Sequence, residues 1–262
     1  MTVRSLVIGL LGLAMFTSAA SAQQDNALQR VKDRGTLRVC TAAYAPWNVK
    51  NPTNNEWEGI VPDIVKGIAE ALKVKLEWVD SSWATVIAGV QSDKCDLIGA
   101  ALWTAPQRAE VVSFTRPIGG DGMSIFIPSD SKVKSIAELD VKGKVIAVAA
   151  GSGDERVARS LFKNAEVKSV VADRSNPAVM ELAAGRADAA SAALLGTSQM
   201  LKNNSQVRVK PIEGLQYAFT PFAFATAPKE YFFRDYVSTL IGNFEASGRL
   251  KEIQDQWTKV ER

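Results

Sequence analysis

The sequence predicts an α/β protein made of two units, each with a mainly parallel sheet flanked by helices. Short apolar runs alternate with segments of helical period between residues 36 and 102, in the order strand, helix, strand, helix, strand. The same alternation returns between residues 144 and 201, and further apolar strand and helix patterns follow residue 222. The chain therefore crosses twice between the two units, near residues 119–122 and 218–226.

The first unit is predicted from three apolar runs with two helical segments between them. Strands are expected at residues 36–41, 75–79 and 96–102. One helix is expected to start at Pro62, since proline suits a first helical turn, and the other to be capped by Ser82. Trp83 belongs to the apolar stripe of this second helix. Such an order is typical of a parallel sheet with right-handed crossovers.

The second unit follows the glycine-rich residues 119–122, which we expect to act as a flexible hinge before a strand at 123–127. Further strands are expected at 144–149, 167–171, 188–192 and 222–226, and helices at 154–162, 177–184, 194–201, 231–246 and 249–260. The last two helices need a partner surface, and the first unit offers one. The predicted lobes are therefore residues 23–119 plus 222–262 and residues 120–221.

The first 22 residues have the pattern of a secretory signal peptide. Arg4 precedes an apolar run that falls short of the ~20 residues needed to span a bilayer. Ala20-Ser21-Ala22 then matches an A-x-A cleavage site. We expect residues 1–22 to be removed and the mature chain to be exported, without being embedded in a membrane.

Composition excludes several classes of function. The 31 basic and 28 acidic residues form no basic stripe, so we expect no nucleic-acid partner. Histidine is absent, which excludes a Ser-His-Asp triad and leaves no expectation of a metal or other cofactor. Export would permit a disulfide between Cys40 and Cys95. Their predicted places, near opposite ends of neighbouring strands, argue against it.

Arg108 is the first candidate for ligand binding. It lies a few residues past the carboxyl end of the strand at 96–102, and ligands of open α/β sheets bind at such ends. Its planar guanidinium can donate two parallel bonds to a carboxylate. The alternative is an ordinary surface arginine in a loop.

An ordered set of motifs resembles the polar-amino-acid family of periplasmic solute-binding proteins. The motifs are Leu37-Arg38-Val39, Tyr44-Ala45-Pro46-Trp47, Gly59 with Asp63, Trp83, Asp96 with Arg108, Phe114 with Pro117, Gly151-Ser152-Gly153, Gly185-Arg186-Ala187-Asp188-Ala189, and Ala246-Ser247-Gly248 with Trp257. The resemblance implies a two-lobed periplasmic-binding-protein fold of type II, with two crossover strands as hinge. It also implies a monomeric receptor in the periplasm that closes on a solute and docks on an ABC permease.

The resemblance also implies roles for individual residues. Arg108 is similar to the arginine that grips the ligand's α-carboxylate, helped by the N–H groups of Trp103 and Gly153. Tyr44 and Trp83 correspond to aromatic rings on either side of the ligand. Their alternatives are loop packing for Tyr44 and core packing for Trp83. The other positions expected to face the ligand are Ala101, Ser152 and Ala193.

Some of these positions depart from the family pattern. Ala193 replaces the aspartate that receives the ligand's ammonium, Ala42 replaces an acidic residue, and Ala101 replaces a small hydroxyl residue. A buried ammonium without an acceptor would cost several kcal/mol. The cleft is therefore predicted to prefer a small carboxylate with apolar or aromatic contacts over an ordinary α-amino acid. Asp121 and Asp154 are left open as alternative acceptors.

Two other functions stay open. One branch of the family is a dehydratase acting on aromatic precursors, and the position of its general acid corresponds to Gly196 here. Residues 191–199 contain no aspartate or glutamate that could donate a proton, so we expect no enzyme. The other is a sensor or dehydrogenase accessory, because Leu37-Arg38-Val39-Cys40 and Cys95-Asp96 faintly resemble accessory proteins of periplasmic methanol oxidation.

Overall fold

The computed structural model describes residues 26–171, 176–215 and 217–258, so the predicted signal peptide lies outside the described residues. The helices are α1 (Ala27–Arg34), α2 (Ile60–Leu72), α3 (Val86–Gln91), α4 (Pro106–Ala109), α5 (Gly153–Leu161), α6 (Pro177–Ala183), α7 (Leu194–Asn203), α8 (Tyr231–Ala246) and α9 (Arg249–Thr258). The strands are β1 (Thr36–Thr41), β2 (Val49–Lys50), β3 (Trp57–Glu58), β4 (Lys75–Asp80), β5 (Leu97–Trp103), β6 (Ser113–Pro128), β7 (Val145–Ala149), β8 (Glu166–Val170), β9 (Ala189–Ala193), β10 (Val209–Pro211) and β11 (Tyr217–Thr226).

The main sheet has the strand order β4-β1-β5-β11-β6-β9-β7-β8. At one end β1 pairs in parallel with β4 and β5, and at the other β7 pairs in parallel with β8 and β9. Between these parallel sets, β6 and β11 run antiparallel to each other and to their outer neighbours. This confirms the predicted α/β class with two parallel halves joined by two crossover strands.

The glycine-rich crossover belongs to a continuous strand. Gly119 and Gly120 pair with Phe222 and Pro221 of β11, inside the 16-residue strand β6. The expectation that the strand begins only at 123 is therefore wrong, whereas a hinge at residues 119–122 stays a prediction. Gly119 has a positive φ of 152°, and a Cβ there would lie 2.4 Å from the Trp47 ring. Glycine is needed here for close approach, and the backbone still hydrogen-bonds as sheet.

Two helices of the first half begin elsewhere than expected. Helix α2 starts at Ile60, because the N–H groups of Ile60 and Val61 donate to the carbonyls of Pro46 and Trp47. Helix α3 starts at Val86, because Ser82 and Thr85 first close a hydrogen-bonded turn. Trp83 therefore lies in that turn rather than on the helical stripe.

The hydrophobic core is divided between the two halves. Helices α2, α8 and α9 cover one face of the first half, with fully buried side chains such as Leu37, Ile64, Phe224 and Phe233. In the second half, β7 packs against α5 on one face and α6 on the other. The described part of the chain has no helix with the length and apolar character needed to cross a membrane.

Cys40 and Cys95 form a disulfide, with their Cα atoms 5.6 Å apart. The expectation that their positions argue against a bridge is wrong. Cys40 of β1 lies opposite Ile98 of β5, but Cys95 precedes β5, and the turn there brings it within reach of Cys40. Gly89 of α3 leaves room for the bridge, since a Cβ there would be 2.7 Å from the Cys40 sulfur.

Candidate functional site

A small cavity lies where the two halves meet. The carboxyl ends of β5, β7 and β9 reach it with Trp103, Ala149 and Ala193, as expected for a ligand site of open α/β sheets. All eight residues singled out from the sequence line it, namely Tyr44, Trp83, Ala101, Trp103, Arg108, Ser152, Gly153 and Ala193. The other lining residues in the described part of the chain are Ala43, Ala149, Asp154, Asn176, Pro177, Ala178, Ser191 and Ala192.

Arg108 is a buried cation on the cavity wall. Helix α4, which begins at Pro106, carries it, and only 7% of its surface is exposed. Its Nη1 donates to the carbonyl oxygen of Trp103 at 3.0 Å and its Nη2 to that of Gly151 at 2.8 Å. Burial and the charge of Arg156 lower its pKa to about 10, so it stays protonated at neutral pH. A guanidinium has five N–H donors, so others remain for a ligand.

Aromatic rings form the apolar wall beside Arg108. The Tyr44 and Trp83 rings meet edge to face with centroids 6.4 Å apart, and Tyr44 also meets Phe222 at 5.7 Å. Trp103 stacks on Phe222 at 6.1 Å. Tyr44 and Trp83 thus both pack against neighbours and line the cavity. Rings held in this way offer a ligand rigid apolar surface.

The Tyr44 hydroxyl is committed to a buried carboxylate. It donates to Oδ2 of Asp121 at 2.8 Å, and burial raises its pKa well above the ordinary value. Asp121 also accepts the backbone N–H groups of Gly122 and Leu195. Burial raises the pKa of Asp121, and these donors oppose the rise. Asp121 is fully engaged and does not line the cavity.

Among the described residues, Asp154 is the carboxylate that lines the cavity. It lies in the first turn of α5, after the helix cap Ser152, whose Oγ accepts the N–H of Glu155 at 3.1 Å. Its Oδ1 is buried and has no hydrogen-bond partner among the described residues. Burial and the charge of Asp121 raise its pKa to about 7, against the opposing charges of Arg108 and Arg156.

Asn176 is a cavity residue that the sequence analysis missed. It precedes α6 in the left-handed conformation, with φ 56°, and its Oδ1 accepts a hydrogen bond from Thr197 Oγ1 at 3.2 Å. Its Nδ2 is buried and finds no hydrogen-bond partner in the described part of the chain. The Asn-Pro pair is typical of a helix start, and nothing in it indicates a cavity.

Three glycines of the second half allow the first half to approach closely. A Cβ at Gly151 would lie 2.7 Å from Ala84 Cα, and one at Gly153 would lie 2.2 Å from the Trp103 ring. A Cβ at Gly196 would lie 2.0 Å from the carbonyl oxygen of Ala45. The cavity is therefore closed by contacts that only glycine permits.

Comparison with known proteins decides the family. Residues 37–260 match the model of the bacterial extracellular solute-binding proteins, family 3. The chain belongs to this family. The resemblance inferred from the ordered motifs is thereby confirmed.

Relatives within the family include binding proteins and an enzyme. The ABC transporter arginine-binding protein 1 of Escherichia coli is 25% identical over 256 residues, covering 97% of this chain and 98% of that protein. The cyclohexadienyl dehydratase of Pseudomonas aeruginosa is 25% identical over 261 residues, covering 97% and 94% respectively.

Solved structures show the same fold. The ancestral amino-acid-binding protein AncCDT-1, described as a precursor of cyclohexadienyl dehydratase, has a TM-score of 0.78 and 26% identity, covering 88% of this chain and 99% of that one. An ancestral arginine-binding protein bound to glutamine has a TM-score of 0.77 and 27% identity, covering 86% and 98%. The type II periplasmic-binding-protein fold is confirmed by these neighbours.

Proposed function

We propose that this family member is a periplasmic receptor that binds a small carboxylate, an amino acid or a similar organic acid, and delivers it to an ABC importer. The observation that supports this most is Arg108, a buried cation on the wall of an otherwise mostly apolar cavity. Both of its Nη hydrogen bonds go to neutral carbonyls, so its positive charge is available to an anion.

Helix α5 supports the same anion site. Gly153 is its first residue and lies in the cavity wall. The leading N–H groups of a helix have no partner within the helix and carry a partial positive charge. A ligand carboxylate between Arg108 and Gly153 would therefore meet donors from both halves of the molecule.

The receptor works by closing its two lobes, residues 23–119 plus 222–262 and residues 120–221, around the ligand. The hydrogen bond from Arg108 of one lobe to Gly151 of the other supports a closed arrangement of the lobes. Relatives named as ABC transporter binding proteins support docking of the closed monomer on a membrane permease. Their periplasmic setting supports the same location for this chain.

A thermal-shift panel tests this function. The twenty amino acids and a set of aromatic, keto and hydroxy acids are compared with their carboxamides, which lack the carboxylate. We expect at least one free acid to raise the melting temperature, because ligand at ~100 times its Kd stabilises by about 2.7 kcal/mol. The carboxamide of that acid should not raise the melting temperature. Equal shifts with acid and carboxamide, or no shift with any acid, would contradict the proposal.

A dehydratase is the second candidate, favoured by Asp154. A buried cavity carboxyl whose pKa is raised to about 7 can act as a general acid near neutral pH. The sequence-based expectation of no enzyme rested on finding no such proton donor, and the Pseudomonas aeruginosa relative is a cyclohexadienyl dehydratase. An assay for dehydrated product after incubation with cyclohexadienyl carboxylates distinguishes a dehydratase from a receptor. We expect binding without turnover for a receptor.

A further inference from the structure

We infer that the Cys40–Cys95 disulfide positions Trp83, so that the bridge fixes one wall of the cavity in addition to stabilising its half of the molecule. Trp83 lines the cavity, whereas both cysteines lie outside its lining. The bridge is therefore a positioning element that acts through Trp83. The consequence for ligand binding rests on the proposed function, but the packing of the bridge under Trp83 does not.

The disulfide belongs to a hydrophobic cluster that reaches the cavity wall. We call this group the disulfide cluster; its buried members are Cys40, Val86, Val90, Cys95, Ile98, Ala100, Leu102, Val112 and Ala225. Trp83 packs against the disulfide cluster from the turn that precedes α3. The same indole therefore contacts the cluster that holds the bridge and faces the cavity.

The bridge supports helix α3 directly. A Cβ at Gly89 of α3 would lie 2.7 Å from the Cys40 sulfur and 3.5 Å from the Cys95 sulfur, so the helix backbone rests on both sulfur atoms. Helix α3 has only six residues. Isolated helices shorter than ~12–15 residues are marginal in water, so the place of α3 depends on what it packs against. Trp83 lies in the turn that leads into this helix and moves with it.

The strand that carries Cys40 also guides the chain to Trp83. Cys40 lies opposite Val79 in the parallel pairing of β1 with β4. Just beyond this pair, the N–H of Ser81 donates to the carbonyl oxygen of Thr41 at 2.9 Å. Trp83 follows two residues later. The bridge is thus close to both segments that hold Trp83, the end of β4 before it and α3 after it.

The other aromatic residues of the cavity wall depend on the opposite face of the sheet. Side chains alternate between the two faces along a strand. Leu102 of β5 belongs to the disulfide cluster, whereas its neighbour Trp103 is part of the core beneath α2, and Tyr44 packs against that same core. Loss of the bridge should therefore loosen the Trp83 side of the wall first.

Hydrogen exchange without any ligand tests the packing. Cys40→Ala/Cys95→Ala should speed amide exchange in residues 85–91 at least ~tenfold more than in α2, since local opening follows local packing. Leu72→Ala is the matched control, because Leu72 is buried in α2 on the opposite face of the same half. It should speed exchange in α2 more than in residues 85–91. Equal acceleration of both helices in the cysteine variant would overturn the inference.

Gly89→Ala provides a test of opposite sign in two backgrounds. Gly89 does not have a positive φ, so its backbone accepts alanine. In the wild type the new methyl group would overlap the Cys40 sulfur, and affinity for the free acid with the largest thermal shift should fall by ~threefold or more. In Cys40→Ala/Cys95→Ala the sulfurs are gone and alanine favours the helix, so the same change should raise affinity. A change of the same sign in both backgrounds would contradict the inference.

A double-mutant cycle with Trp83 separates positioning from general stability. With the same free acid, Cys40→Ala/Cys95→Ala should weaken binding by ~threefold to tenfold, and Trp83→Ala by ~tenfold or more. The combined variant should lie within ~twofold of Trp83→Ala alone, because the bridge acts through the indole. Leu72→Ala should keep the wild-type affinity.

The outcomes distinguish this inference from the proposed function. A full additional loss of affinity in the combined variant would overturn the role of the bridge and leave the carboxylate receptor standing. If no free acid binds the wild type, the proposed function fails, and hydrogen exchange still decides whether the bridge holds the segment that carries Trp83.

Discussion

Nη2 of Arg108 donates to the carbonyl oxygen of Gly151 across 2.8 Å, and this bond joins the two halves of the molecule beside the cavity. Arg108 follows β5 of the first half, and Gly151 follows β7 of the second. Nη1 of Arg108 donates to the carbonyl oxygen of Trp103, which lies in the same half as Arg108. The guanidinium is thus oriented by both halves together.

Gly151→Ala should oppose closure of the two halves. Gly151 has φ +73°, and a Cβ would lie 2.7 Å from Ala84 Cα. Overlap of this kind typically costs about 1–3 kcal/mol, so ligand affinity should fall by roughly tenfold. Calorimetry measures the affinity, and solution scattering should show that ligand no longer shrinks the radius of gyration as it does in the wild type.

Gly185→Ala is the matched control for that substitution. Gly185 has nearly the same backbone, with φ +70°, but a Cβ there would meet nothing within 4 Å. Both variants bear the left-handed backbone penalty of about 1–2 kcal/mol in folding stability. Only Gly151→Ala should lose binding. Equal affinities in the two variants would show that the contact with Ala84 is not part of closure.

The Cys40–Cys95 disulfide should stabilise the first half. It closes a loop with a sequence separation of 55 residues, and both cysteines are buried. The double variant Cys40→Ala/Cys95→Ala should lose about 2–4 kcal/mol in denaturant unfolding. Adding reductant to the wild type should remove most of this difference. If the two proteins unfold at the same denaturant concentration without reductant, the bridge does not form in the protein.

Asp154 should make the ligand-free protein less stable as pH rises from about 4 to 7. Its pKa is raised from 3.8 to about 7 in the folded state, so the folded protein holds the proton where the unfolded chain has lost it. Stability falls by up to ~1.4 kcal/mol per pH unit over that window. Asp154→Asn should remove this slope. If the free energy of unfolding, measured with denaturant, depends on pH in the same way for the variant and the wild type, then Asp154 is not buried as described.

The fold could be predicted from sequence because periodicity reports local pattern directly. Helix α8 was predicted at its observed bounds, and most strands within one or two residues. Where the observed bounds differ from the predicted ones, tertiary contacts are the reason. The carbonyls of Pro46 and Trp47 start α2 before Pro62, and pairing with β11 turns the glycine-rich hinge into strand β6.

The cavity was harder to predict than the fold. Tyr44, Trp83 and Arg108 could be placed there because they occur in an ordered set of motifs. Asp154 could be named only as an alternative, since no sequence pattern distinguishes an unpaired carboxylate from a helix-capping one. Asn176 could not be found at all, because its role depends on α6 packing beside the carboxyl end of β9.

Carboxylate recognition by Arg108 is tested most directly by the affinity of the best free acid from the panel for Arg108→Ala. Arg116→Ala serves as control, because Arg116 pairs with Glu245 on the exposed surface and does not line the cavity. We predict that Arg108→Ala loses about 2–5 kcal/mol of binding while Arg116→Ala keeps the wild-type value. Affinity of Arg108→Ala within a factor of about three of the wild type, ~0.7 kcal/mol, would contradict the account.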